Sequence, residues 1–123
     1  MKNDKRLFGI RGAVQCLNDE TDITKQVTAL YDEILHLNHL TEDDLVSIHF
    51  SVTKDIDEKN PAAALRGQGR AGAASLFVTQ EAHFKNSLER VVRVLIHCYM
   101  EEGAVPIHVY RNGAEVLRPD RKT

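Results

Sequence analysis

The sequence LVSIHFSVT, at residues 45–53, alternates between apolar and polar side chains from its second position onward. In an extended chain Val46, Ile48, Phe50 and Val52 point to one face, and the polar side chains between them point to the other. Such alternation is typical of a strand with one face on the core of the protein. The stretch therefore predicts a half-buried β-strand.

Upstream of this strand the sequence predicts a helix and a further strand. The helix follows a capping position at Thr21-Asp22, and residues 41–44 (TEDD) form a capping box or turn after it. Residues 7–16 (LFGIRGAVQC) combine small and β-branched residues with two glycines, which favours a strand whose backbone is closely approached. The apolar residues at helical spacing are Ile23, Val27, Leu30, Tyr31, Ile34 and Leu37.

Downstream of the strand a short helix and another strand are predicted. Asn60-Pro61 places a capping residue before a proline at the first helical position, which indicates a helix over residues 62–66. The glycine-rich stretch RGQGRAG at residues 66–72 ends it, and we expect this stretch to be flexible and unpacked. Residues 74–80 (ASLFVTQ) predict the next strand.

The last part of the chain predicts a second long helix and a hairpin. The helix begins at Asn86 or Ser87 and ends near Gly103, and it carries Arg93 among apolar neighbours. Asn112-Gly113 is typical of a two-residue hairpin turn, here between residues 106–110 and 114–117. The apolar positions at helical spacing are Leu88, Val91, Val92, Leu95, Ile96 and Tyr99.

Strands and helices alternate along the chain, which predicts an α+β fold with a mixed β-sheet and helices packed on it. No linker or change in composition divides the sequence, so residues 1–123 are expected to form a single domain. A domain this small leaves much of its surface in water, and oligomerisation is a plausible way to bury more of it.

Composition and charge exclude several classes of function. The 16 Lys+Arg and 18 Asp+Glu residues give a formal charge of -2, so no overall field attracts nucleic acid or an anionic membrane. No apolar run matches a signal peptide or a membrane span of about 20 residues, and a cytoplasmic location is expected. Cys16 and Cys98 stand far apart without metal-ligand spacing, and we expect reduced thiols.

Motifs for covalent, metal or cofactor chemistry are missing from the sequence. It contains no GxSxG, no catalytic cysteine signature and no HExxH, and residues 66–72 lack the Lys-Ser/Thr ending of a phosphate-binding loop. His36 and His39 could touch a metal from one helix face, but surface histidines are the favoured interpretation. No metal and no other cofactor are therefore expected.

Four arginines in apolar or small-residue surroundings are the candidate ligand-binding groups: Arg11, Arg66, Arg93 and Arg118. A guanidinium stays charged and offers a planar fork to a carboxylate, so several that converge select a small polyanion without a catalytic base. Each has a structural alternative. Arg93 could pair with Glu89 one helical turn back, Arg66 and Arg118 could be solvated, and Arg11 could extend from a strand into water.

Four separated motifs occur in a characteristic order: GIRGA at residues 9–13, QE at 80–81, RV at 93–94, and HVY at 108–110 followed by LRPD at 117–120. Over essentially the whole chain they resemble the trimeric, pseudo-α/β-barrel chorismate mutases of bacteria. The resemblance implies an isomerase of aromatic amino-acid biosynthesis, the shikimate pathway, that converts chorismate to prephenate by a Claisen rearrangement. It also implies a homotrimer with sites between subunits, and no nucleic-acid or membrane partner.

The resemblance further implies roles for individual residues. Arg11 binds a substrate carboxylate with help from Tyr110, Arg93 contacts the ether oxygen of the breaking bond and a carboxylate, and Glu81 accepts a hydrogen bond from the ring hydroxyl. The mobile arginines that close the family's site correspond to Arg66 and Arg118. The stretch before Glu81, whose backbone lines the family's ring pocket, corresponds to Phe77, Val78, Thr79 and Gln80.

Two other functions remain open at this level. Where the family tends to place an aromatic residue, a lysine and a cysteine, this chain has Asn60, Ala63 and Val78. These departures would suit a non-catalytic small-carboxylate-binding protein on the same scaffold. The trimeric imine deaminases share a similar architecture, although the QE and HVY...LRPD motifs argue against that family.

Overall fold

The chain forms one mixed sheet and two α-helices within residues 4–117, the part that the computed structural model describes. Single turns of 3-10 helix lie at Glu42–Asp44 and Ala114–Leu117. In chain order the elements are β1 (Lys5–Gln15), α1 (Glu20–Leu37), β2 (Leu45–Val52), α2 (Pro61–Gly67), β3 (Ser75–Gln80), β4 (Val91–Glu101) and β5 (Val109–Arg111).

The strands lie in the order β3-β2-β4-β1-β5, so the longest two are side by side near the centre of the sheet. β4 is antiparallel to both of its neighbours, while the outer pairs β2-β3 and β1-β5 are parallel. The register places one residue from each strand in a single row across the sheet. From β3 to β5 this row is Thr79, Ser51, Arg93, Ala13 and Tyr110.

The two helices cover only one face of the sheet. Ile10, Ile48 and Ile96 lie on that face and have no exposed surface, as the alternating pattern predicts. On the opposite face Phe77 and Tyr99 keep 64% and 48% of their surface exposed. The predicted α+β fold with helices on a mixed sheet is therefore confirmed, and within residues 4–117 neither helix is long and apolar enough to cross a membrane.

The helices begin as their capping residues require. α1 begins slightly before the predicted capping position at Thr21-Asp22, because the Asp19 side chain accepts from the backbone N–H of Asp22 and caps the helix. At the start of α2, Asn60 accepts from the backbone N–H groups of Ala62 and Ala63, at 2.8 and 3.2 Å. The prediction of a capped short helix with proline in its first turn is thus confirmed.

The helix predicted from Asn86 or Ser87 to near Gly103 is wrong, because residues 91–101 form the central strand β4. The same apolar residues fit both periods, since every second side chain from Val92 to Met100 is also buried. β-branched residues favour a strand, and β4 gains hydrogen-bonded neighbours on both sides that a helix would forfeit. Arg93 therefore projects from a strand.

The predicted hairpin at Asn112-Gly113 is also wrong. These residues do turn the chain with positive φ angles of 53° and 99°, but Ala114–Leu117 then forms a helical turn and no strand. β5 pairs in parallel with β1. Ala114 is fully buried against Ala13 and Val91, and this contact on the sheet takes the place of a hairpin partner.

The glycine-rich stretch at residues 66–72 is packed at its end, contrary to the prediction. Ala71 is only 1% exposed, and its backbone N–H donates to Glu42 Oε2 at 2.6 Å. The same oxygen accepts from the Tyr31 hydroxyl at 2.5 Å, and Arg70 pairs with Asp32 at 2.7 Å. The carboxylates of Asp32 on α1 and Glu42 in the following 3-10 turn thus bind and order the end of this stretch.

Candidate active site

An open cavity of about 280 Å³ lies on the uncovered face of the sheet. All five strands contribute to its lining, which includes Arg11, His49, Ser51, Thr79, Arg93 and Tyr110. Because alternate residues of a strand share a face, one row of the sheet register brings most of these side chains together. The fold thus gathers residues that are up to about a hundred positions apart in sequence.

Arg93, near the start of the central strand β4, forms an ion pair with Glu81, which directly follows the edge strand β3. Arg93 Nε lies 2.8 Å from Glu81 Oε1, although the N–H is not aligned for a hydrogen bond. The same carboxylate oxygen accepts from the Ser51 hydroxyl at 2.9 Å. The Glu81 side chain is 19% exposed and that of Arg93 is 43% exposed, so the guanidinium is held on one side and accessible from the cavity.

The structural alternative for Arg93, a pairing with Glu89, is wrong. Glu89 instead pairs with Arg90, at 2.7 Å between Oε1 and a terminal guanidinium nitrogen. On a strand, residues four positions apart do not lie one above the other as they do on a helix, so the alternative fails with the helix that it assumed.

Arg11 and Tyr110 come to the same cavity from neighbouring strands. Tyr110 stands opposite Ala13 in the parallel pairing, and its ring packs against the small cluster formed by Ala13, Val91 and Ala114. The backbone N–H of Arg11 donates to the ring of His108, and the Arg11 side chain is exposed along the cavity. A guanidinium and a phenol are thus available to one anionic group.

The residues predicted to line the ring pocket divide between the two faces of β3. Thr79 lines the cavity, and Phe77 lies next to it with its ring edge-on to His49 at 5.5 Å between centroids. Val78 points to the other face and packs on the core, and Gln80 is exposed. Within one chain only alternate residues of this stretch therefore reach the cavity with their side chains.

Of the two arginines predicted to close the site, the structure tests only Arg66, which is not among the described residues that line this cavity. Arg66 is exposed on α2, and Arg118 lies outside the described residues. Leu117, the last described residue, lines a second depression together with Glu81 and Arg93. The end of the described chain therefore lies close to the candidate site.

Sequence reasoning missed His49, Ser51 and His108 as members or neighbours of the site. The signal for the first two was present, because the alternation of residues 45–53 places both on the polar face of β2. His108 belongs to the HVY motif, but the motif gave it no function, since its contact with the backbone of Arg11 joins residues 97 positions apart.

The arrangement suits a small anion that bears a hydroxyl group. Two guanidinium groups and a phenol can donate hydrogen bonds to the anion, and Glu81 can accept one from the hydroxyl group. Within residues 4–117 no group of three His, Cys, Asp or Glu side chains could hold a metal ion. Both cysteines are buried and free, and burial raises the pKa of each thiol to about 11.

Comparisons with known proteins all indicate the same family. Residues 7–121 match the family model for chorismate mutase type I. The chain is 31% identical over 114 residues to chorismate mutase AroH of Bacillus subtilis (strain 168), covering 91% of this chain and 90% of that protein. It is 33% identical over 115 residues to chorismate mutase AroH of Thermus thermophilus, covering 91% and 93%.

A solved structure agrees with these sequence relatives. The chorismate mutase from Clostridium thermocellum superimposes with a TM-score of 0.81 and 36% sequence identity, over 89% of this chain and 98% of that one. This chain therefore belongs to the type I chorismate mutase family, and the resemblance carried by its four motifs is confirmed.

Proposed function

We propose that this isomerase converts chorismate to prephenate in the cavity on the uncovered face of its sheet, with Arg93 and Glu81 as its catalytic residues. The observation that carries the proposal is the position of Arg93, which lines the cavity with Arg11 and Tyr110 and is ion-paired to Glu81 in the adjoining depression. Chorismate matches these groups, because it has two carboxylates, a ring hydroxyl and an ether bridge.

The reaction is unimolecular: one C–O bond breaks while one C–C bond forms. It needs no nucleophile, so catalysis consists of holding the compact conformer and stabilising the charge that develops in the transition state. Negative charge grows on the ether oxygen as the C–O bond lengthens. Arg93 lies in a fixed orientation beside Glu81, and it binds this growing charge more strongly than it binds the ground-state ether.

The remaining groups orient the substrate. Arg11 and Tyr110 hold the carboxylate of the side chain, while Glu81 accepts from the ring hydroxyl and faces the partial positive charge on the ring. Phe77 and Thr79 border the ring with their side chains, and the β3 backbone at Val78 and Gln80 completes this border. Glu81 thus has two functions, because the same carboxylate that holds Arg93 also contacts the substrate.

We propose that three chains assemble, with each site between two of them. The exposed aromatic and aliphatic side chains of the uncovered face support this, since Leu7 and Phe77 are 47% and 64% exposed. In the trimer Arg66 comes to the site from the neighbouring chain, and Arg118 closes it from the tail.

Sedimentation equilibrium at micromolar concentration should give three times the mass of one chain, and a fully active monomer would contradict the proposal.

The cytoplasm is the proposed location. Its support is the pair of free, buried thiols, which suits a reducing compartment. No protein partner other than further copies of the chain enters the proposal, and the ligand is chorismate alone.

The direct test is incubation of the purified chain with chorismate, followed by its ultraviolet absorbance. We expect loss of chorismate at a rate proportional to enzyme concentration, with prephenate as the product. A chain that binds chorismate without consuming it would be the carboxylate-binding protein of the alternative interpretation. A chain that leaves chorismate unchanged but hydrolyses imines would belong functionally with the imine deaminases.

A further inference from the structure

His108 joins the two strands that carry Arg11 and Tyr110. The parallel pairing of β1 with β5 begins at Gly12 and Val109, so His108 lies directly before the first paired residue of β5. At that point the backbone N–H of Arg11 donates to His108 Nδ1 at 2.9 Å. The imidazole thus acts as the acceptor for a backbone N–H at the end of the strand pairing.

We infer that His108 is a positioning residue for substrate binding, an inference that rests on the proposed function. Its bond fixes the start of β5 against the backbone of Arg11, two positions before Tyr110. The guanidinium of Arg11 and the phenol of Tyr110 are therefore held at a fixed distance from each other, where both can bind the same carboxylate. His108 is not among the described residues that line the cavity, so it acts through these two.

A second attachment keeps β5 in place without His108. The buried Asn38 side chain accepts from the backbone N–H of Ile107 at 2.8 Å and donates to the carbonyl of the same residue at 3.0 Å. These two hydrogen bonds of Asn38 do not involve the imidazole. Replacement of His108 therefore removes the bond to the Arg11 backbone but leaves β5 attached. A His108 variant should therefore fold.

The role of the ring depends on one acceptor atom. Nδ1 accepts only when it carries no proton, so the neutral ring holds its hydrogen on Nε2. An asparagine at this position places its side-chain oxygen one bond from Cγ, where Nδ1 stands, and it keeps an acceptor. A leucine there occupies a similar place but offers no acceptor.

The kinetic consequence depends on where the carboxylate is held. Arg11 and Tyr110 grip the substrate away from the breaking bond, and this contact is equally strong in the ground state and the transition state. Loss of uniform binding raises KM and leaves kcat unchanged. The loss of one hydrogen bond is worth about 0.5 to 1.5 kcal/mol, which corresponds to roughly a 2- to 12-fold increase in KM.

The test compares His108→Leu, His108→Asn and the unchanged chain in steady-state kinetics with chorismate. We expect His108→Leu to raise KM by about 2- to 12-fold at constant kcat, and His108→Asn to restore KM to within about twofold. The matched control is His36→Leu, at an exposed position on α1, which should leave both constants unchanged. Equal KM values in all chains, or parallel losses of kcat and thermal stability, would overturn the inference.

Hydrogen exchange at the Arg11 amide tests the bond without any substrate. The amide should exchange faster in His108→Leu than in the unchanged chain, and His108→Asn should restore its protection. Identical exchange in all three chains would also overturn the inference. Because this measurement needs no turnover, a failure of the proposed function is distinguished from a failure of the His108 assignment.

Discussion

Among single residues, Glu81 carries the largest number of functions in the site. It pairs with Arg93, accepts from Ser51, and in our proposal accepts from the ring hydroxyl of the substrate. A neutral amide of the same shape would keep the acceptor but lose the charge. Substitution therefore separates the electrostatic function of this residue from its shape.

We predict that Glu81→Gln lowers kcat/KM by about 10- to 150-fold, since hydrogen bonds to charged groups are worth about 1.5 to 3 kcal/mol. Thermal stability should change little, because a partly exposed ion pair contributes only about 0 to 1 kcal/mol. The control is Glu89→Gln, which removes the exposed partner of Arg90 and should leave the kinetics unchanged. Equal kinetics in the two variants would contradict the role of Glu81.

At the scale of elements, the approach of β1 to its neighbours depends on Gly12. A Cβ at this position would lie 2.8 Å from Ile34 Cδ1 on α1, 3.1 Å from the Val109 carbonyl oxygen and 3.1 Å from Val94 Cγ1. The Ile34 methyl can rotate away, but the backbone oxygen of β5 cannot. The second glycine of the GIRGA motif therefore has a packing function that is separate from the binding function of Arg11.

Gly12→Ala should destabilise the fold by about 1 to 3 kcal/mol, the usual cost of overpacking. Thermal or denaturant unfolding measures this, with Gly67→Ala as the matched control. A Cβ at Gly67 meets no atom within 4 Å, and alanine suits a helix better than glycine, so this variant should be at least as stable as the parent. If both variants unfold at the same temperature, the close approach of β1 to β5 does not require glycine at position 12, and the prediction is wrong.

A second element-scale contact makes stability depend on pH. The Ala71 backbone N–H, with the Tyr31 hydroxyl, lowers the pKa of Glu42 below its ordinary value of 4.5. A carboxyl group whose pKa is lowered by folding adds stability above its unfolded-state pKa. That stability is lost as the pH falls through the lower, folded-state value.

Glu42→Gln should therefore lower stability by roughly 1 kcal/mol near neutral pH, because charge-assisted bonds become neutral ones. The difference should shrink as the pH falls below about 4.5, since the wild-type carboxyl becomes neutral as well. Unfolding curves over this range provide the measurement, and Glu58→Gln, at an exposed loop position, is the control. A difference that is constant with pH would contradict the assignment.

The sequence predicted most elements but not their pairing. Residues 45–53 alternate strictly enough to fix a strand, and Asn60-Pro61 fixes the start of a helix by local capping alone. Residues 91–101 fit both a helix and a strand, and only hydrogen bonds to β1 and β2, distant in sequence, decide between them. Asn112-Gly113 fixed the turn, but the helical turn after it depends on the buried contact of Ala114 with distant residues.

The candidate site shows the same division. Arg11, Arg93 and Tyr110 were predicted from ordered motifs and lie together in one cavity. Arg93 was predicted on the wrong kind of element, yet its motif still located it. His108 depends on a contact across the strand register, which a single sequence does not contain.

On the scale of the whole molecule, one face of the sheet serves for stability and the other for function. The helix-covered face buries the largest apolar side chains, while the uncovered face holds the ion pair, the cavity and exposed apolar residues such as Phe77 and Tyr99. An assembly of chains over the uncovered face would shelter the site from water. Electrostatic stabilisation by Arg93 would then be stronger, because fewer water molecules screen the charge.

The most direct test of the account is the steady-state kinetics of Arg93→Lys with chorismate. Lysine keeps the charge but loses the planar fork, and removal of one preorganised donor costs about 100- to 1000-fold in kcat. Arg90→Lys is the matched control, since Arg90 lies three residues away and pairs with Glu89 outside the cavity. We predict the large loss only in Arg93→Lys, with thermal unfolding unchanged in both. A folded Arg93→Lys variant whose kcat stays within about twofold of the parent would contradict the central claim.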